Sequence, residues 1–315
     1  MRDSVERIRN KGKSILLSQL ADKVENTELD SAVGPSSDNV TPISVIPNPM
    51  PLRQPQPSIV NVTPVSVVNK PIEYENELIV KEDEDIFYVD SRTERIVVKS
   101  GLCNDDDIDK LKLSKCERLV ELVVGDDCLQ FLRELKLSGL KSLERVEIGM
   151  GCMCKSEGGM FEVSGCERLS CVKMGDGCCV KWSSFTLKDC GVEEVTIGDG
   201  CFANSEGGIF EASECEKMKR LLIGEGCCVH WKSFILKNCS IEEVSIGSGS
   251  FANCEGGEFE VSECERLGRM MVGNGCCVNW GGVVTRNCGV EEVSIGDGCF
   301  VSCENVMFES MNCPD

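Results

Sequence analysis

Along most of the chain, apolar and polar residues alternate in short bursts, each closed by a glycine: VEIGMG, VKMGDG, VTIGDG, LLIGEG, VSIGSG, MMVGNG and VSIGDG. The closing glycines are Gly149, Gly175, Gly198, Gly224, Gly247, Gly273 and Gly296, so the spacing runs 26, 23, 26, 23, 26 and 23 residues. Weaker copies end at Gly101 (IVVKSG) and Gly125 (LVVGDD). Alternation over so few residues predicts half-buried strands. A repeat of this length predicts a solenoid, because one unit is too small to bury its own apolar face and stacks on its neighbours instead. In Val290-Glu-Glu-Val-Ser-Ile295, the valines and Ile295 are expected to face the core and Glu291, Glu292 and Ser294 to face out. A second strand-like piece follows in most units: Phe185-Thr-Leu187, Phe210-Glu-Ala212, Phe234-Ile-Leu236 and Phe259-Glu-Val261. Each coil is therefore expected to have two pleated sides with apolar residues pointing inward.

The chain before the repeat divides by composition. Residues 1–30 place Val5, Ile8, Ile15, Leu16, Leu20 and Val24 at roughly helical spacing, and Arg2, Arg7, Arg9, Lys11 and Lys13 make the first half basic. The pattern fits either a docking or membrane-surface helix or a mostly solvated one. Asp3, Glu6, Asp22 and Glu25 dilute the charge and favour the second. Residues 31–71 contain a proline-rich run such as NPMPLRQPQP and are expected to form an extended, disordered linker. Residues 72–95 alternate around Asp90-Ser-Arg-Thr93, which predicts strands or a hairpin that caps the solenoid of residues 96–315.

The unit resembles the leucine-rich repeat family, whose L-x-x-L-x-L-x-x-N-x-L pattern it follows with Gly in the Asn position. It is closer to the BspA-like subclass, with its I-G-x-x-A-F-x-x-C core, in Ile246-Gly-Ser-Gly-Ser-Phe251-Ala-Asn-Cys254 and Ile295-Gly-Asp-Gly-Cys-Phe300-Val-Ser-Cys303. The sequence departs from the subclass in having glycine where proline usually follows the strand, and in the E-G-G insertions that lengthen alternate units. The resemblance implies a β-rich leucine-rich-repeat-like solenoid, a right-handed superhelix of short parallel strands. It also implies that the outer strand face is a non-catalytic protein-binding surface. Adhesive or self-associating surface proteins are the alternative that the same subclass offers.

On that face one set of coils carries Glu193-Glu194, Glu242-Glu243 and Glu291-Glu292, and the coils between carry Lys219-Arg220 and Arg269, with Arg145 and Lys173 further upstream. With Leu222 and Met271 interspersed, these are the candidate partner-binding residues, and a partner with a basic patch would suit their acidic excess. Paired carboxylates also invite a glycosidase reading. Parallel strands about 4.8 Å apart would instead set each Glu pair beside basic side chains, a charge ladder that stabilises the register, and this reading is preferred.

Thirteen of the 23 cysteines recur in two columns, just after the glycines and after the second strand, with Ser250 replacing one. Exchange with serine points to small side chains filling tight corners, each donating weakly to a neighbouring carbonyl. A zinc ladder would need ligands converging on one tetrahedron, which repeated coils do not provide. The single histidine lies in Gly226-Cys-Cys-Val-His-Trp231, but its place is taken by Lys181 and Asn279 in the sister stretches, so it reads as solvated rather than as a ligand. No cofactor or metal is expected. Formal charge is −20, which disfavours nucleic acid as a partner. No apolar run is long enough for a signal or a membrane span, so a reduced, cytoplasmic setting is the default expectation. The C-terminal stretch lacks a recognisable cap, from which association of two copies through that end of the solenoid is expected.

Overall fold

The computed structural model describes residues 74–303 and 305–309. The helix expected over residues 1–30, the linker over 31–71 and the C-terminal residues 310–315 lie outside the described residues. The strands are β1 (Glu77–Val80), β2 (Arg95–Val98), β3 (Lys110–Lys112), β4 (Glu121–Val124), β5 (Glu134–Ser138) and β6 (Arg145–Ile148). There follow β7 (Met160–Ser164), β8 (Cys171–Met174), β9 (Ser184–Lys188), β10 (Glu194–Ile197), β11 (Ile209–Ser213) and β12 (Arg220–Ile223). The last are β13 (Ser233–Lys237), β14 (Glu243–Ile246), β15 (Gly257–Ser262), β16 (Arg269–Val272), β17 (Trp280–Arg286), β18 (Glu292–Ile295) and β19 (Asn305–Glu309).

These strands build a parallel β-solenoid. One sheet has ten strands, β1 and then the even-numbered ones in sequence order; the other has nine, the remaining odd-numbered ones. Each coil after the first thus gives one strand to each sheet, as the two bursts of alternation in each unit predict. In the first sheet Val195 stacks on Leu221 and Val244, and Ile197 on Ile223 and Ile246. All six are buried. Burying a side chain of this size contributes about 1.5–3 kcal/mol before conformational entropy is subtracted, and a one-residue slip would turn the whole set outward. The second sheet carries the aromatic core. Phe161, Phe185, Phe210, Phe234 and Phe259 stack face to face in one column, with centroids 5.0, 5.0, 5.1 and 4.6 Å apart.

From β6 onward, each first-sheet strand ends in a turn of two glycines with different duties. A Cβ on Gly198 would fall 2.6 Å from the backbone of the preceding coil, so this position requires close approach. Gly200 instead has φ +65°, where a side chain is strained. The residue between them continues the stack: Asp176 Oδ1 accepts from the Asp199 amide at 2.9 Å, and Asp199 Oδ1 from the Glu225 amide at 2.7 Å.

Of the strands or hairpin expected over residues 72–95, the described residues have a strand without a hairpin. β1 pairs with β2 in parallel, Leu78 beside Ile96 and Val80 beside Val98, so Glu77–Val80 already belongs to the first sheet and Asp90-Ser-Arg-Thr93 is a turn within its coil. A 3-10 helix at Asp83–Tyr88 follows β1 and buries Ile86. The Asp83 carboxylate accepts from the amides of Cys103 at 2.5 Å and Asn104 at 3.3 Å, tying this helix to the next coil. The alignment of IVVKSG also shifts. Val98 pairs with Val124, so Lys99 holds the place of the first turn glycine and Gly101 that of the second. The alternation there is too weak to fix a two-residue offset.

The 26- and 23-residue coils interlock in pairs. Each long coil brings an E-G-G insertion and each short coil a tryptophan, and Trp182, Trp231 and Trp280 are all fully buried. A Cβ on Gly208 would lie 2.5 Å from the Trp231 ring; Gly159 lies as close to Trp182, and Gly257 to Trp280 at 3.1 Å. The indole of each short coil therefore lies flat beneath the insertion of the long coil before it. The amides of Gly158 and Gly207 complete the joint by donating to the carbonyls of Lys181 and His230, at 2.9 Å each.

Candidate functional site

The first sheet's outer face holds Glu194, Arg220, Leu222, Glu243, Arg269, Met271 and Glu292 of the residues expected to bind a partner, while Glu193, Lys219, Glu242 and Glu291 stand one residue before its strands. One outward position of each strand forms a single file, in register: Glu77, Arg95, Glu121, Arg145, Cys171, Glu194, Arg220, Glu243, Arg269 and Glu292. Charge alternates along it except at Cys171. Arg220 pairs with Glu194, Arg269 with Glu243 at 3.8 Å and Glu292 at 3.0 Å, and Arg95 with both Glu77 and Glu121. One residue upstream, Lys219 reaches Glu193 at 2.6 Å, while Glu242 is met by Arg266 at 3.1 Å from the adjoining corner. Glu291 and Glu292 are exposed on the last strand of the file. The paired carboxylates are thus held by neighbouring cations, the arrangement of a register-setting ladder, in which each exposed pair is worth about 0–1 kcal/mol.

The next outward file is chemically mixed. It runs Ile79, Val97, Val123, Glu147, Lys173, Thr196, Leu222, Ser245, Met271 and Ser294. Leu222 and Met271 are half-buried between charged rungs, while Met150 stands exposed in a turn off the strand. Sequence reasoning reached the ladder from Arg145 onward and missed Glu77, Arg95, Glu121 and Cys171. Glu121 stands four residues before the turn glycine Gly125, the same offset as Glu194 from Gly198, and that offset was the available signal. Beside the first coils lies a cleft of 380 Å³ lined by Tyr74, Glu94, Arg118, Val120, Ser142, Glu144 and Arg168.

The cysteine columns face the other way, into the coil corners. Cys152 Sγ donates to the Gly125 carbonyl at 3.1 Å, Cys178 to Gly149 at 2.9 Å, Cys227 to Gly198 at 3.1 Å and Cys276 to Gly247 at 3.0 Å. Ser250 makes the same bond to Gly224 at 2.7 Å, which explains why serine substitutes. In the second column Cys166 reaches the Leu137 carbonyl at 3.4 Å and Cys288 that of Val261 at 3.4 Å. Cys152, Cys166, Cys178, Cys227, Cys276 and Cys288 are thiols and not halves of disulfides. Burial pushes Cys103 and Cys254 up to about 12, and Cys179, Cys228 and Cys277 well above the ordinary thiol range. Such groups are neutral packing atoms at physiological pH. Cys171, half-exposed among charges, is also raised, chiefly by desolvation.

His230 is exposed, whereas Cys227, Cys228 and Trp231 are fully buried. What its coil uses is its backbone, with φ 66° and a carbonyl that receives the Gly207 amide. Among the described residues no group of three or more His, Cys, Asp or Glu side chains is placed to hold a metal ion, and no helix is long and apolar enough to cross a membrane. No family model matches the chain, and no curated protein or solved structure shows significant similarity to it.

Proposed function

We propose that the chain is a non-catalytic interaction module that docks a protein partner on the outer face of the first sheet. The observation that supports this is the in-register file of side chains across ten parallel strands, which offers a surface whose charge alternates on either side of the neutral Cys171. Toward its C-terminal end Glu193, Glu194, Glu242, Glu243, Glu291 and Glu292 outnumber Lys219, Arg220 and Arg269. A partner with a basic patch would gain long-range attraction to them, and Leu222 and Met271 offer it apolar contact. The resemblance to leucine-rich repeats of the BspA-like kind supports the same face, by analogy of repeat rather than by any measured contact.

The test is proximity labelling in the native cell with the full chain and with Glu242→Lys/Glu243→Lys as baits. Loss of the same labelled partner from the variant, with an unchanged circular dichroism spectrum, is expected. Equal labelling of that partner by both baits would overturn the reading.

A further inference from the structure

The two ends of the outer face are unlike. In the first three strands the mixed file is wholly apolar: Ile79, Val97 and Val123 stand side by side, Ile79 being 38% exposed and the valines half-buried. The stripe stops at Glu147 and Lys173. Exposed aromatic surface adjoins β1, since Phe87 and Tyr88 of the 3-10 helix are 69% and 72% exposed. Charged side chains follow the three strands, Lys81, Glu82 and Glu84 after β1, Lys99 after β2 and Asp126 and Asp127 after β4, and the exposed run Asp105, Asp106 and Asp107 comes next in the chain after the amides that Asp83 holds, so that acids outnumber lysines there. An apolar stripe with such an acidic excess is the complement of a basic amphipathic segment.

This chain contains one. Residues 1–73 carry as many acidic as basic side chains, so the whole net charge of −20 belongs to residues 74–315. Within residues 1–73 the bases gather at Arg2, Arg7, Arg9, Lys11 and Lys13, interleaved with Val5, Ile8 and Ile15. The described chain begins at Tyr74, whose hydroxyl donates to Glu121 on β4 at 3.2 Å and whose ring lies under the Arg95 guanidinium of β2 at 5.4 Å. The chain thus enters the solenoid beside the stripe. Roughly 50 residues separate Val24 from Tyr74, and a random-coil chain of that length in general reaches about 35–40 Å. Three strands span only about 10 Å, and a tether of this reach holds the segment near its site at an effective concentration of order millimolar.

We propose that residues 2–24 dock back onto the N-terminal end of the first sheet, apolar side on Ile79, Val97 and Val123 and basic side chains against these acids. The chain supplies its own ligand for the end of the face that lacks Glu193 to Glu292, so the contact stands independently of any external partner.

The experiment is zero-length carbodiimide coupling of the full chain at low micromolar concentration, with the coupled residues mapped by mass spectrometry in the monomer fraction. Lys11 and Lys13 are expected to couple to acids at positions 82–85, 105–107 and 126–127. Coupling should fall about tenfold in Ile79→Ser/Val123→Ser, and likewise in Arg7→Glu/Arg9→Glu, whose changes lie outside the solenoid and leave its folding intact. Couplings spread over Glu193 to Glu292 in proportion to their exposure would overturn the proposal. So would couplings found only between two copies, or a pattern unchanged in both variants.

Discussion

The long and short coils share a strand, a turn and a cysteine, yet fill their interiors differently. At the residue after the turn cysteine, long coils from Gly198 onward place Phe202, Phe251 and Phe300, and short coils place Cys179, Cys228 and Cys277, all with φ of 53–56°. The space the short coil leaves there is offset by its tryptophan: Phe202 packs edge-on against Trp231 with centroids 5.2 Å apart, and Phe251 lies 6.2 Å from Trp280. The insertion glycine then closes over the indole. A large residue in one coil, a small one in the next and a glycine between them form one joint. The difference teaches that the folding unit is a pair of coils.

Raising the pH should break both kinds of coil together. A thiol whose folded pKa lies above its unfolded value near 9 contributes stability that is complete below pH 9 and lost as pH rises toward the folded value. For Cys103 and Cys254, each near 12 when folded, the window is pH 9–12 and the slope is about 1.4 kcal/mol per pH unit per thiol. With many thiols buried, reduced protein stable at pH 8 is expected to unfold cooperatively by pH 11, followed by circular dichroism.

Trp231→Ala separates the coil types. It should cost about 3–5 kcal/mol, and hydrogen exchange should show the opening centred on the joint between the coils that begin at Gly198 and Gly224. Gly208→Ala attacks the same joint from the long coil. Its added carbon meets the indole, for a cost of about 1–3 kcal/mol in urea unfolding, whereas alanine at the half-buried Gly282, with only a carbonyl at 3.9 Å from the added carbon, should cost under about 1 kcal/mol.

Cys227→Ser removes a feature common to all coils and should stay within about 1 kcal/mol of the parent, because Ser250 already performs that bond one coil later. The smallest effect is expected outside. Arg220→Glu puts three carboxylates in consecutive rungs and should destabilise by about 0.2–1 kcal/mol in low salt. The loss should shrink at 1 M salt, where the Debye length is about 3 Å.

The parts of this architecture legible in the sequence were those repeated in every unit. Alternation gave the strands and the inward residues, the glycines gave the turns, and the Cys-to-Ser exchange gave the carbonyl bond. The E-G-G insertion was legible only as added length, because its partner, the tryptophan, lies in the next unit and no spacing within one unit connects them. At residues 72–95 the sequence left strands and a hairpin open, because alternation reports which side chains are inside and is silent about strand direction. For the outer face, the sequence revealed the charges of individual coils. Register was needed to show that they line up, and where they stop doing so.

That stop is Cys171. Ten strands alternating without interruption would begin the file with a carboxylate and finish it with a guanidinium, giving the sheet opposite poles. The neutral rung acts as a dislocation: the sequence of signs restarts beyond it, and the first and last strands, bearing Glu77 and Glu292, have the same polarity. A second copy approaching end to end would meet carboxylate with carboxylate, whichever end it offered. One uncharged side chain in the middle of the file thereby sets the sign of charge at both ends of the described sheet.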